Sequence, residues 1–253
     1  MRVPRGLVPP DSLRSKPGRA CTRAAPREPC MPGYATRQEQ VAIGGHDYRL
    51  RVLADRQQFW DPDGHGERLG ISSAQWALFG QLWPAGRLLA GAMQEFDIGG
   101  KRILELGCGI GLASLVLQRR GADVVASDMH PLAEVFLAYN AALNALPALH
   151  YRHLQWDEPL PELGHFDLII ASDVLYEREH ASLLGGVVDR HAHPAAEVLV
   201  ADPGRGNSAH LNRELASRGF GLEERRCALV PDELPPHRAR LLHYTRGAIG
   251  GRA

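Results

Sequence analysis

Between the apolar run Ile103-Leu104-Glu105-Leu106 and the amphipathic stretch Leu112 to Arg120 lie five residues, Gly107-Cys108-Gly109-Ile110-Gly111. Alternate glycines let a backbone turn tightly and approach a ligand closely. A dinucleotide loop reads G-x-G-x-x-G, with a third glycine where helix and strand pack. Here that place is taken by Leu112, which disfavours a pyrophosphate. G-x-x-x-x-G-K-[ST] is also lacking, which argues against a nucleotide-hydrolysing loop. Asp128 stands 17 positions after Gly111, at the end of Val124-Val125-Ala126-Ser127. A carboxylate there can accept hydrogen bonds from both hydroxyls of a ribose, or it can cap the helix that opens at Pro131. Glu105, just before the glycines, can fix the loop, face a ligand's ammonium group, or be a solvated acid.

These residues need a scaffold that gathers strand ends. From Lys101 the chain alternates strands and helices, the pattern of right-handed βαβ units around a parallel sheet. The expected strands are Ile103–Leu106, Val124–Asp128, His153–Trp156, Phe166–Ser172 and Val198–Ala201. Helices are expected over Leu112–Arg120, Pro131 to about Asn144, His180–His191 and Ser208–Ser217. Two further strands, Gly221–Leu229 and Arg240–Thr245, share a short connection and read as an antiparallel pair at the sheet edge. The fold class is therefore α/β, a doubly wound, mostly parallel seven-stranded sheet. In such sheets ligands bind beyond the carboxyl ends of the strands where strand order reverses, which is where the glycine loop and Asp128 fall.

Upstream, Val41–Ile43, Gly44-Gly45 and Tyr48–Leu53 read as a hairpin with Tyr48, Leu50 and Val52 on one face and Arg49 and Arg51 on the other. Ser72-Ser73 could cap a helix containing Trp76, Leu78 and Phe79. A second helix opens at Pro84 and closes at Gly99-Gly100. The expected organisation is a disordered Pro/Arg-rich tail over 1–37, an N-terminal hairpin and helices over 38–100, the core over 101–246 and a flexible end over 247–253. The tail has no apolar stretch of secretory type, and its prolines would interrupt an amphipathic targeting helix.

The chain has 253 residues, 44% of them apolar, and a formal net charge of zero. Seven basic and two acidic residues lie in the first 30, so the remainder carries −5. A mildly acidic body lacks the electrostatic footprint of a nucleic-acid binder. The apolar runs are too short for a membrane span. The cysteines, Cys21, Cys30, Cys108 and Cys227, form no C-x-x-C pair, so neither a zinc site nor a disulfide framework is expected. A reduced, cytoplasmic monomer is expected.

The run Leu104 to Asp128 resembles motifs I and II of the class I, seven-β-strand methyltransferases, and the resemblance extends over roughly residues 70–245. It implies S-adenosylmethionine as cofactor, held by Glu105, Gly107, Gly109, Gly111 and Asp128. It also places Asp157 at the adenine amino group and Trp156 against the adenine, though Trp156 can equally be a core tryptophan. Asp173-Val174-Leu175-Tyr176, together with Leu82-Trp83-Pro84 upstream, resembles a subfamily of protein lysine methyltransferases, which also puts Trp83 at the cofactor. Asp202-Pro203-Gly204-Arg205 looks most like the member acting on the electron-transfer flavoprotein β subunit. The implied acceptor is a protein lysine, with Asp173 and Tyr176 holding the amine and its stem. The alternatives are a small nicotinamide-like amine, or a binding module without turnover. The bland reading of Asp173 and Tyr176 is a loop cap and a core aromatic.

Overall fold

The structure is a computed structural model, and residues 34–228 and 238–247 are described. An antiparallel hairpin of β1 (Thr36–Ile43) and β2 (His46–Leu53) leads the described chain. Its turn residues Gly44 and Gly45 have φ of 55° and 78°. Two successive positive φ angles twist a two-residue turn in the same sense as its strands, which is why glycine suits both places. Short helices α1 (His65–Arg68) and α2 (Ser73–Trp76) follow, then α3 (Pro84–Glu95).

The core then runs β3 (Arg102–Leu106), α4 (Leu112–Arg119), β4 (Asp123–Asp128), α5 (Ala133–Leu143), β5 (His150–His153), β6 (Phe166–Ser172), α6 (His180–His191), β7 (Ala192–Asp202), α7 (Ser208–Ser217), β8 (Gly221–Ala228) and β9 (Arg238–Arg246). The seven-stranded sheet has the order β5-β4-β3-β6-β7-β9-β8. The first five pair in parallel, and β9 is antiparallel to both neighbours. Strand order reverses between β3 and β6, because the chain winds outward through β4 and β5 and then crosses back. Central strands are buried on both faces. Ile103, Leu104 and Leu106 of β3 and Leu168, Ile169 and Ile170 of β6 are fully enclosed. Near-continuous apolar runs are what a parallel strand covered by helices requires.

Several sequence-based boundaries shift. The hairpin begins at Thr36, so Thr36 and Arg37 are strand and not tail. Residues 1–33, 229–237 and 248–253, which hold most of the expected tail, the last residue of the expected strand Gly221–Leu229 and most of the expected flexible end, lie outside the described residues. Arg51 is buried, against expectation, and its guanidinium lies 4.1 Å from the centre of the Tyr139 ring. The helix after Ser72 stops at Trp76, leaving Leu78 and Phe79 beyond it; Ser72 does cap it, in a reciprocal box with Gln75. α3 ends at Glu95, where Phe96 turns to extended backbone, ahead of Gly99-Gly100. The third core strand is His150–His153, three residues earlier than expected. It is an edge strand with largely exposed side chains, so it carries no apolar signature, and the apolar Leu154 and Trp156 follow it. β7 begins at Ala192, directly after α6, and extends well ahead of its apolar half. Among the described residues no helix is long and apolar enough to cross a membrane.

Candidate active site

The carboxyl ends of β3, β4 and β6 open into a cavity of about 620 Å³, lined by every one of the expected site residues except Gly111. Gly111 sits behind, as the residue entering α4. Its φ is 83°, and a Cβ there would come within 2.1 Å of Leu137 Cδ1. At Gly109 a Cβ would meet the Phe79 carbonyl oxygen at 2.7 Å, with φ at 53°. A side chain at either place would force backbone or core apart, so the loop is shaped for glycine by its surroundings as well as by its own dihedrals.

Asp128 ends β4 and is buried. Its Oδ2 accepts from Gly109 N at 2.8 Å and its Oδ1 from His130 N at 2.8 Å. The first bond fixes the glycine loop, and the second makes the local turn that leads toward α5. Each carboxylate oxygen keeps a second lone pair, so two hydroxyls can still be accepted. Burial raises the Asp128 pKa, opposed by these backbone donors. The helix-capping reading fails: α5 opens at Ala133 behind Leu132 with no side-chain cap, and Asp128 caps only its own turn.

Glu105 is buried at the penultimate position of β3, just before the loop. Its Oε2 accepts from Ser114 N at 3.0 Å and from the Ser114 hydroxyl, so the carboxylate caps the first turn of α4. The solvated-acid reading fails here. Burial pushes its pKa from 4.5 up to about 7, with the Ser114 bonds pulling the other way. Ser114 went unnoticed in the sequence; its place in the third position of α4 was the available signal.

Trp83 precedes α3, and its indole Nε1 donates to Leu78 O at 2.9 Å. With its N–H satisfied, the ring is free to present a face to the cavity. The guanidiniums of Arg56 and Arg205 lie 5.3 Å and 5.9 Å from the ring centre. Trp156 sits in the turn after β5, half-buried and packed against the main core cluster while also lining the cavity. Asp157 stands exposed beside it at the rim.

Asp173 follows β6 with φ at 54°, in the left-handed region. Its N–H donates to Ala201 O at 2.9 Å, which ties the turn to β7. Its carboxylate is not free. Arg205 grips it with a fork, Nε to Oδ1 at 2.6 Å and Nη2 to Oδ2 at 2.8 Å. Arg205 belongs to the Asp202-Pro203-Gly204-Arg205 turn noted in the sequence, but this pairing was not foreseen. Asp202 itself is buried and holds Arg240 at 2.7 Å. Tyr176 is 42% exposed, so it is not the core aromatic of the bland reading. Its ring meets His180 edge-on at 4.3 Å. His180, another residue missed, stands between Tyr176 and Trp156 with Nδ1 2.8 Å from Val174 O.

S-adenosylmethionine fits this site chemically. A glycine cradle closed to Cβ atoms, two buried carboxylates at adjacent strand ends and a mixed aromatic wall suit a ligand with a backbone-like tail, a ribose and a base. Among the described residues no cluster of three or more His, Cys, Asp or Glu could hold a metal ion.

Sheet order, glycine loop and strand-end acids define a class I S-adenosylmethionine-dependent methyltransferase. Residues 72–212 match the family model described as lysine methyltransferase, and the chain belongs to that family. The electron transfer flavoprotein beta subunit lysine methyltransferase of Mus musculus is 29% identical over 192 residues, covering 70% of this chain and 70% of its own length. Its Xenopus laevis counterpart is 32% identical over 165 residues, covering 63% of each. Among solved structures, magnesium protoporphyrin IX methyltransferase from Synechocystis PCC 6803 with bound SAM aligns with a TM-score of 0.51 at 19% identity, over 64% of this chain and 78% of that one. That likeness shows the fold.

Proposed function

We propose that this lysine methyltransferase acts on a lysine side chain of a folded protein, and that Asp173 and Tyr176 receive the acceptor. The observation that carries the reading is that both line the same cavity as the glycine loop and Asp128, at the next strand end. On this reading Asp128 accepts the ribose hydroxyls and Glu105 faces the ligand's ammonium with its second oxygen. The loop Gly107 to Gly111 supports the methionine part, Trp83 and Trp156 flank the ligand, and Asp157 meets the adenine amino group. S-adenosylmethionine, when bound, supplies an electrophilic methyl group.

The chain's own residues must then deliver a neutral amine in line with it. A lysine has an ordinary pKa of about 10.4 and arrives as a cation. A lone carboxylate would attract that cation and also hold its proton on. Arg205 cancels most of this effect, because an adjacent positive charge favours the neutral amine. Asp173 can still orient the amine through a hydrogen bond, while the Tyr176 ring covers the methylene stem and helps exclude water. Burial, with neighbouring carboxylates, pushes the Tyr176 phenol up to about 12, so it stays a neutral donor.

The electron-transfer flavoprotein β subunit is the first acceptor to assay, since the aligned relatives carry it in their names. The expected working form is a cytoplasmic monomer with no nucleic-acid partner. Extract from a knockout strain is incubated with the enzyme and labelled cofactor. Label in a protein band, mapped to lysine by mass spectrometry, supports the proposal. Label confined to the small-molecule fraction transfers the assignment to a nicotinamide-like amine.

A further inference from the structure

Asn140 on α5 and Asn144, the residue that caps its C-terminus, reach across to β2. Asn144 Oδ1 accepts from Arg49 N at 2.9 Å, and its Nδ2 donates to Arg49 O at 2.7 Å. Asn140 repeats the arrangement two residues along the strand. Its Oδ1 accepts from Arg51 N at 2.6 Å, and its Nδ2 donates to Arg51 O at 3.3 Å. The two side-chain amides thus stand in for a neighbouring strand. They differ in their third partner, which for Asn144 Nδ2 is the Asn140 carbonyl at 2.7 Å. Asn140 Nδ2 also donates to Ile110 O at 2.9 Å, and Ile110 is the residue between Gly109 and Gly111. Asn140 is fully enclosed, so this bond has no competing water.

Three N–H groups of the glycine loop are pinned as well, and the Gly111 carbonyl accepts from Leu115 N inside α4. Cys108 N donates to Ser127 O, Gly109 N to Asp128 Oδ2 and Gly111 N to Cys108 O. These bonds secure N–H groups. Asn140 fixes a carbonyl, and so the plane of the peptide that joins Ile110 to Gly111. We infer that Asn140 is a positioning residue for the cofactor loop, and that through it the β1–β2 hairpin and the cofactor site are energetically coupled. Anything that holds the loop in its binding form then also favours the amide that receives Arg51, and the reverse follows by reciprocity. The inference rests on the glycine loop holding the cofactor.

The test compares the two asparagines, using S-adenosylhomocysteine as the probe. Asn140→Ala leaves the buried Ile110 carbonyl without its donor, and Asn140→Asp keeps the acceptor for Arg51 N but removes the donor to the loop. Both should weaken binding by about tenfold in calorimetric titration. Asn144→Ala loosens the same hairpin without touching the loop, and its affinity should stay within about twofold of the parent. Hydrogen exchange on the unaltered protein supplies a readout that needs no substitution. Peptides covering His46–Leu53 should exchange more slowly when the probe saturates the site, and Asn140→Asp should abolish that slowing. Parental affinity in both Asn140 variants, equal losses at Asn140 and Asn144, or hairpin exchange indifferent to the probe would each overturn the coupling. A parent protein that fails to bind the probe would instead remove the cofactor assignment of the loop itself.

Discussion

Glu105 should make stability and cofactor affinity move in opposite directions with pH. Its carboxyl is 3% exposed, and its pKa rises on folding from 4.5 to about 7. Below pH 4.5 the acid is protonated in both folded and unfolded chains and contributes no difference. Between 4.5 and 7 the unfolded chain gives up its proton first, so the folded state weakens as pH rises; above 7 the full difference is expressed. A shift of that size corresponds to roughly 3 kcal/mol at alkaline pH. Glu105→Gln imitates the protonated acid and can still accept from Ser114. At pH 8 the variant should therefore melt about 6–12 °C above the parent, a gap that closes by pH 4.5. Cofactor binding should behave oppositely if Glu105 faces the ammonium. Parental affinity for S-adenosylmethionine should strengthen as pH rises through 7, while the variant shows no such rise and binds about tenfold more weakly at pH 8. Thermal melts and titrations across pH 4.5–8.5 check both limbs. Coincident melting curves at every pH would refute the burial argument. A parallel pH response in the two proteins' affinities would refute the ammonium contact.

Asp128→Ala removes the acceptor for two buried N–H groups as well as the ribose contact. It should lose about 2–6 kcal/mol of stability by chemical denaturation and at least roughly tenfold in S-adenosylhomocysteine affinity, measured cold where the variant is folded. S-adenosylhomocysteine should raise the melting temperature of the parent and NAD at equal concentration should not, since only a ligand of the native state stabilises it. Asp173→Asn should lower turnover while leaving cofactor affinity within about twofold, because the altered contact lies on the acceptor side. Arg205→Gln should move the acidic limb of the pH–rate profile upward by about one unit, since the unopposed Asp173 would hold the proton on the amine; an unmoved profile would count against the electrostatic role of the pair.

What the sequence revealed followed how strongly local chemistry was constrained. Helices α6 and α7 are legible to the residue because apolar periodicity and polar flanks agree. The buried strands β3 and β6 announce themselves as short apolar runs, and the glycine loop can only be a sharp strand-to-helix turn. The edge strand β5 is invisible in this way, since His150, Tyr151, Arg152 and His153 need no apolar face. The front half of β7, Ala192 to Glu197, is hidden for a related reason, since it holds no large apolar side chain. Within the site, residue types and strand-end positions pointed to Asp128 and Glu105, and the family resemblance pointed to Asp173. Their partners were not legible. Ser114, Arg205 and Asn140 lie 9, 32 and 30 positions from the groups they hold, and only the assembled sheet brings them into reach.

The place of β9 bears on how the chain assembles as it is made. β9 follows β8 in sequence yet lies inside it, between β8 and β7. Until Arg238–Arg246 has left the ribosome, the edge of β7 from Ala196 to Asp202 has nothing to pair with, although the neighbouring βαβ units can already be in place. At about 5–20 residues per second that exposure lasts seconds, long enough for an apolar strand edge to meet another nascent chain. A premature stop ahead of Arg238 would make the exposure permanent. Shortened forms of this protein are therefore expected to be lost to aggregation or proteolysis even though every residue placed at the cofactor and the acceptor would be present in them.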